Sequence, residues 1–249
     1  MSHAVELGFD VLVLLIAGVV RGFSGFGFAL VAVSGLSLVH PPAVVVPTIL
    51  CLEILASVPL LRGVWSHAHW NSIVWLLVGM GIGTAPGAWL LAHASPATLR
   101  LWVSLAVLFG ALALTREAAL PWAHGVTAQV VAGICSGLLN ASASIGGPPV
   151  ILYYLSSPAR AEVVRASLIA FFVVADVVSL VAMGAMGLLT HAVWMNAALW
   201  LLPSLLGVHV GRWVFERYGA KHYRPLVVGL LALLALLTAG RAAWDFSAS

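Results

Sequence analysis

Hydrophobic residues lie along the chain in long runs that short polar linkers separate. Most runs reach about 20 residues, the length that a helix needs to cross the hydrocarbon of a bilayer. We predict eight segments, at about 9–39, 43–61, 71–92, 97–115, 126–156, 163–187, 192–215 and 225–243. The pattern therefore predicts an all-α polytopic membrane protein, with one transmembrane domain over residues 1–249.

Two of these segments are interrupted near their middle by residues that do not suit a lipid-exposed helix. The first interruption, at about 22–28, lies within Arg21-Gly-Phe-Ser-Gly-Phe-Gly-Phe28, and the second is Asn140-Ala-Ser-Ala-Ser-Ile-Gly-Gly-Pro-Pro149. At membrane depth, non-helical backbone is tolerated only where protein or a water-filled cavity satisfies its polar groups. Two breaks in matching places of two halves indicate a transport site.

An internal repeat is visible at an offset of 124 residues. The matching pairs are His67 and His191, Trp70 and Trp194, Gly83 and Gly207, Gly87 and Gly211, and Arg100 and Arg224. We therefore predict two homologous repeats of four segments, at about 9–115 and 126–243, with the first segment of each broken or re-entrant. The glycine pairs at Gly83-x-x-x-Gly87 and Gly207-x-x-x-Gly211 predict close contact between helices.

The broken segments allow two topologies. If each crosses the membrane, the repeats are parallel, and if each is a re-entrant hairpin, the repeats are inverted. Residues 11–21 would cover only about 16 Å as a helix, roughly half the hydrocarbon thickness. This length favours hairpins and inverted repeats.

Composition strengthens the membrane interpretation, because 62% of the residues are hydrophobic and only 8% are charged. A soluble domain carries roughly 25% charged residues. The net charge of +3 resides mostly in short loops, so nucleic acid is not an expected partner. The loop charges obey the positive-inside tendency in both topologies, which predicts a multi-pass protein of the cell (inner) membrane with its N- and C-termini outside.

Arg21 is the first candidate for chemistry, because a charged residue near mid-depth costs about 2.5–3.5 kcal/mol and usually faces a cavity or a partner. It could attract an anion, with the amides of Gly22, Gly25 and Gly27 donating hydrogen bonds beside it. The alternatives are a structural ion pair with Glu53 or Asp176, or a side chain that snorkels.

Small polar residues in or beside the breaks could complete a substrate site. These candidates are Ser24, Asn140, Ser142, Ser144, Gly146 and Gly147. Equally, serine and other small residues are ordinary packing residues between membrane helices. We expect Pro148 and Pro149 to end one half-helix and to free carbonyl groups, so the two breaks should differ chemically.

Glu53 and Asp176 are the only acids well inside the hydrophobic segments. They could couple transport to a proton or another cation, H⁺ or Na⁺. They could instead neutralise Arg21, or one of them could be protonated and simply buried.

With these features together, the chain resembles the TauE/SafE family of membrane permeases. The resemblance rests on Gly22-Phe-Ser-Gly-Phe-Gly27, on Asn140–Pro149 and on the duplicated plan of four segments, and it covers nearly the whole chain. It implies a transporter, and more specifically an exporter, of small anions such as sulfite or organosulfonates, by alternating access around two broken helices. The phenylalanines Phe23, Phe26 and Phe28 replace a glycine run common in that family, which suggests a larger or partly apolar substrate.

Two other functions remain open from the sequence. Gly22-Phe-Ser-Gly25 resembles the nucleophile motif of rhomboid proteases, so Ser24 with His209 could form an intramembrane serine protease. A membrane assembly factor without transport is the third interpretation. No cofactor and no metal is expected, the bilayer is the surrounding partner, and a homodimer is compatible with the sequence.

Overall fold

A computed structural model of the chain describes residues 3–24, 27–115, 125–155 and 161–218. All regular structure in these ranges is helical, so the all-α class is confirmed. The helices are α1 (His3–Ser24), α2 (Phe28–Leu36), α3 (Pro42–Val64), α4 (Trp70–His93), α5 (Pro96–Thr115), α6 (Gly125–Ala143), α7 (Gly147–Leu155), α8 (Ala161–Ala185) and α9 (His191–Tyr218). The predicted segment at 225–243 lies outside the described residues.

Within the described ranges, four helices are long and apolar enough to cross a membrane. They contain the stretches Trp70–His93, Gly125–Ala143, Ala166–Ala185 and His191–Val214, and α3 contributes the shorter apolar stretch Pro42–Ser57. Large apolar side chains point outward from them, as at Ile82, Val181 and Leu202, which are 58%, 68% and 67% exposed. An apolar exterior of this extent suits contact with lipid rather than water.

The first interrupted segment forms a helical hairpin, because α2 runs back along α1. A Cβ atom on Gly35 would lie 2.7 Å from Val13, which places the end of α2 beside the middle of α1. Beyond α2, His40 Nε2 lies 2.8 Å from Asp10 Oδ2 near the start of α1. The turn contains Gly27, whose φ of 87° lies in the left-handed region that glycine adopts without strain.

The second interrupted segment has the same antiparallel arrangement of α6 and α7. Gln129 Nε2 donates to the Tyr153 hydroxyl at 2.7 Å, which joins the start of α6 to the far part of α7. At the turn, the Ser136 hydroxyl donates to the Gly146 carbonyl at 2.7 Å. Gln129 comes seven residues before Ser136, whereas its partner Tyr153 comes seven residues after Gly146. The contacts therefore run in opposite directions along the two segments, and the short helix returns along the long one. We call α1–α2 the first hairpin and α6–α7 the second hairpin.

Two details of the hairpins differ from the sequence predictions. α1 has 22 residues, or about 33 Å, because it begins at His3, ahead of the apolar run, and continues to Ser24. Only the returning helices α2 and α7, with 9 residues each, have the half-membrane length that was expected of α1. Pro148 and Pro149 do not end a half-helix but lie in the first turn of α7, where a missing N–H costs no helical hydrogen bond.

Two pairs of helices approach so closely that their backbones touch. α4 packs mainly on α6 and α1 packs mainly on α9. A Cβ atom on Gly83 would lie 2.1 Å from the Ile134 carbonyl, and one on Gly211 would lie 2.1 Å from the Val19 carbonyl. The predicted close contact at these glycines is confirmed, and each contact joins one half of the chain to the other. The duplication itself remains a prediction.

The residues described on either side of the hairpin turns are packed against other helices. Eight of the nine residues of α2 are buried, and Phe28 at its start is 2% exposed. The main hydrophobic core joins α2 to α3 through Ile49 and Leu50 and reaches Ile145 at the second turn. The breaks therefore lie where neighbouring helices, rather than lipid, surround the backbone.

Candidate functional site

The last turn of α1 carries an ion pair to α3. Arg21 Nη1 lies 2.6 Å from Glu53 Oε1, and Arg21 Nη2 donates to the Ser57 hydroxyl one turn further along α3. The two charged side chains are 12% and 13% exposed. A cation in the last turn of a helix also interacts favourably with the helix dipole. The structure thus has the Arg21–Glu53 pair that the sequence offered as one alternative.

The last turn of α6 carries a comparable, uncharged contact to α8. Asn140 Nδ2 donates to Asp176 Oδ1 at 3.0 Å and to the Ser179 hydroxyl at 3.1 Å. Asn140 and Asp176 are each 2% exposed. A carboxyl group so far from water therefore accepts a hydrogen bond from a neutral donor, the Asn140 amide.

These two contacts occupy matching places. Arg21 and Asn140 each lie three residues before the end of the longer helix of a hairpin. Each binds an acid on the helix that follows its hairpin. Helices α3 and α8 pack against each other, and Asp176 interacts electrostatically with both Glu53 and Arg21. The result is one central cluster of one cation and two acids, which we call the central cluster.

Ser144, at the turn of the second hairpin, is the most unusual residue beside this cluster. Its φ of 57° places a non-glycine residue in the left-handed region, which costs about 1–2 kcal/mol. Its hydroxyl is buried close enough to the Glu53 carboxylate to interact with it, but it makes no hydrogen bond of ordinary geometry to the described residues. Buried polar atoms without a partner are rare, so this hydroxyl is available to a group that enters the site.

The other candidates in the second hairpin have structural contacts. A Cβ atom on Gly146 would lie 2.8 Å from Asn140 Cβ, so glycine is needed there for the close approach of the turn. Ser142 donates to the Leu138 carbonyl and accepts a 2.7 Å hydrogen bond from Trp102 Nε1 on α5. Gly147 is the first residue of α7. Among the candidates of the second hairpin, the described contacts with the central cluster come from Asn140 and Ser144.

The candidates in the first hairpin are less uniform. Gly22 lies inside α1 and faces α9, where a Cβ atom on Gly22 would lie 2.1 Å from the Val208 carbonyl. The expectation that its amide is exposed at the break is therefore wrong. Gly27 directly precedes α2, which no side chain caps, so the positive end of that helix dipole lies at the turn. Gly25 and the side chain of Ser24 lie outside the described residues.

Two serines beside the central cluster were not predicted as site residues, and the Asp10–His40 pair at the far end of the first hairpin was not predicted either. Ser57 and Ser179 follow Glu53 and Asp176 by four and three residues, and this spacing places them on the same helical face as each acid. That spacing could have identified them. The Asp10–His40 pair gives no such local signal, because it forms only when the hairpin closes.

Metal binding and serine-protease catalysis were considered as other functions of the site. In the ranges that the structure covers, no group of three or more His, Cys, Asp or Glu side chains is placed to hold a metal ion. His209, the base in the protease interpretation, is exposed on α9. Nothing described of Ser24 and His209 favours a catalytic dyad.

Comparison with known proteins identifies the chain at the family level. The model of the family described as Sulfite exporter TauE/SafE matches residues 11–238, a range that includes most of the first hairpin, the whole second hairpin and the central cluster. A protein of Cupriavidus necator named as a probable sulfite/organosulfonate exporter TauE is 26% identical over 215 residues, which are 84% of this chain and 84% of that protein. No solved structure matches. The chain belongs to the TauE/SafE sulfite exporter family of membrane transporters.

Proposed function

We propose that this protein exports sulfite or organosulfonates and binds them between the turns of the two hairpins. The observation that carries the proposal is the buried Ser144 hydroxyl, which lies beside the Glu53 carboxylate of the Arg21–Glu53 pair and makes no hydrogen bond of ordinary geometry to the described residues. A cation and a hydroxyl donor in one enclosed place suit an oxyanion. The printed name of the Cupriavidus necator relative supports the choice of sulfur oxyanions.

The central cluster can provide an anion with three kinds of donor. Arg21 supplies a charged guanidinium, which forms shorter and stronger hydrogen bonds to oxyanions than neutral donors do. Ser144 supplies a hydroxyl from the opposite hairpin. The start of α2 contributes the positive end of its dipole. Sulfite and sulfonate groups each have three oxygens, so they can accept from all of them at once.

Glu53 holds the site closed to anions until it is displaced. Its carboxylate accepts a 2.6 Å hydrogen bond from the Arg21 guanidinium, so a substrate oxygen must replace the carboxylate as the acceptor. The competition keeps Arg21 paired in the empty protein, where an unpaired buried charge would be costly. We infer that Arg21 exchanges between Glu53 and the substrate.

We further propose that each hairpin moves together with the helix that it touches through glycine. The first hairpin is packed on α9 and the second on α4. Rocking of one such unit against the other would open the cluster alternately to the two sides. Inverted repeats in the inner membrane, with both termini outside, fit this scheme. An inside-negative potential would favour anion exit by about 2.3 kcal/mol per charge per 100 mV.

The experiment is anion flux and binding with Arg21→Ala in proteoliposomes loaded with sulfite or sulfoacetate. Losing a charged hydrogen bond of about 1.5–3 kcal/mol should weaken anion binding roughly 10- to 100-fold and reduce flux accordingly. Arg217→Ala is the matched control, because Arg217 is exposed and lies over the ring of Trp213.

The control variant should retain wild-type flux. Full flux in a correctly inserted Arg21→Ala protein would show that Arg21 does not anchor the anion. If the wild-type protein moves no sulfur oxyanion at all, the proposed function itself fails and the assembly-factor interpretation gains support.

A further inference from the structure

The charges of the central cluster do not balance if both acids are ionised. Arg21 carries one positive charge, whereas Glu53 and Asp176 could carry two negative charges. Asp176 is 2% exposed, and its direct hydrogen bond comes from the neutral amide of Asn140. An uncompensated charge buried in an apolar interior is very costly, so the cluster is most stable with one proton on the acid pair.

The helices around the cluster bring no further charge to it in the part of the chain that the structure describes. Packed around α3 and α8 are α2, α4, α5, α6, α7 and α9, with α1 supplying Arg21. Their other titratable groups, and the thiol of Cys51 on α3, are exposed, bonded elsewhere or neutral: His93, Arg100, Cys135, Tyr153, Tyr154, His191, His209, Arg212 and Arg217. The other acids on the helices of the cluster itself are distant along those helices. On α8, Glu162 precedes Asp176 by 14 residues. On α1, Glu6 and Asp10 precede Arg21 by 15 and 11 residues. Charge balance is therefore decided by Arg21, Glu53, Asp176 and any bound ion.

Binding of a singly charged anion, such as an alkanesulfonate or hydrogensulfite, changes this balance by one unit. If a substrate oxygen replaces Glu53 at Arg21, the displaced carboxylate loses its counter-charge while it remains enclosed by protein. The cluster then holds one positive charge and two negative charges, the substrate and Glu53, with the first proton still on Asp176. Taking up one more proton removes this excess.

We propose that the Glu53–Asp176 pair holds one proton when the site is empty and two when an anion is bound, so that anion transport is coupled to protons. The inference rests on the proposed function, because it requires an anion at Arg21. In the step itself, the Glu53 carboxylate leaves the guanidinium, the anion takes its place, and a carboxylate oxygen accepts a proton from water at the open side. No other bond forms or breaks.

Linkage gives this proposal a measurable consequence. When one proton is taken up with each anion, the anion affinity rises about tenfold for each unit by which the pH falls. The acid pair also predicts an unusual mutational pattern. Either acid alone can balance Arg21 in the empty protein and accept a proton in the bound one, so a single amide variant should keep the uptake.

The experiment adds methanesulfonate, an organosulfonate with a single negative charge, to the purified, detergent-solubilised protein at neutral pH in weak buffer, with a pH indicator and without sodium. Calorimetry in two buffers of different ionisation enthalpy measures anion binding and proton uptake in the same sample. Wild-type, Glu53→Gln and Asp176→Asn proteins should each take up about one proton per anion bound. The double variant E53Q/D176N should bind the anion without uptake.

Asp10→Asn is the matched control, because Asp10 is also a buried acid, 5% exposed, but lies at the far end of the first hairpin with His40. It should take up protons as the wild-type protein does. Anion binding with no proton uptake in the wild-type protein would overturn the inference and leave the proposed function intact. Loss of uptake in one single variant, or binding that requires sodium, would overturn it as well. If no anion binds, the proposed function fails first.

Discussion

The two hairpins place different chemistry at the same position. In the first hairpin, a guanidinium at the last turn of α1 binds an acid and a serine on α3. In the second hairpin, a neutral amide at the last turn of α6 binds an acid and a serine on α8. The backbone plan is shared, whereas the charge is not. The comparison shows that two hairpins with the same backbone arrangement can bind one acid through an ion pair and the other through a neutral amide donor.

The turns of the hairpins differ in a second way. Among their described residues, Gly27 in the first turn and Ser144 in the second have left-handed backbone. This conformation costs glycine little free energy, whereas it costs serine about 1–2 kcal/mol. Serine also places a hydroxyl beside the cluster. Strained residues of this kind persist where the surrounding structure holds them and often belong to functional sites.

The largest effect should follow from breaking the charged contact. Glu53→Ala leaves Arg21 without its counter-charge in a nearly dry site, and removing one partner of a buried pair costs about 3–5 kcal/mol. We expect a loss near the lower value, because both side chains retain slight exposure. Denaturant unfolding in mixed micelles measures it. The double variant R21A/E53A should recover part of the loss, and a cost below about 1 kcal/mol for Glu53→Ala would show that the pair contributes little.

A smaller effect should follow from breaking the uncharged contact. Asn140→Ala removes the donor to Asp176 and leaves polar atoms unsatisfied, which costs about 1–3 kcal/mol. The same unfolding assay compares the two hairpins directly. If Asn140→Ala costs as much as Glu53→Ala, Asp176 carries a full charge that depends on Asn140, and the contrast between the hairpins is wrong.

The smallest effect concerns the two turns. Ser144→Gly should raise the free energy of unfolding by up to about 1 kcal/mol, because it removes the left-handed strain. The greater conformational entropy of glycine in the unfolded chain offsets part of this gain. The same change should weaken anion binding about fivefold, since one hydrogen bond of about 1 kcal/mol is lost. Ser144→Ala is the control, which loses the hydroxyl but keeps the strain. Equal anion affinity in all three proteins would remove Ser144 from the site.

The hydrophobic pattern was enough to predict most of the helices. The segment predicted at 71–92 is α4 over Trp70–His93, and that at 97–115 is α5 over Pro96–Thr115. Apolar runs of this length have one stable arrangement in lipid, so their bounds follow from composition. The breaks were placed within a few residues, but α1 and α6 continue further into them than expected, because glycine, serine and asparagine remain helical where packing supports them.

The partners within the site were harder to predict. The Arg21–Glu53 pair was one of several alternatives, since a lone buried cation needs an acid and only two were available. The Asn140–Asp176 contact and the left-handed Ser144 depend on how the second hairpin closes against α8, which no local pattern reveals. For the same reason, Gly22 was assigned to the anion site, although its neighbour is the backbone of α9.

The close contact between α1 and α9 also has a consequence for biogenesis. α1 leaves the ribosome first, yet the helix that it contacts most is α9, near the opposite end of the described chain. The glycines of α1 that face Val208 and Ser204 therefore have no partner until translation has passed those residues. A chain that stops before these residues would leave this face of α1 exposed to lipid, chaperones and proteases. The packing of α1 is therefore completed only late in synthesis.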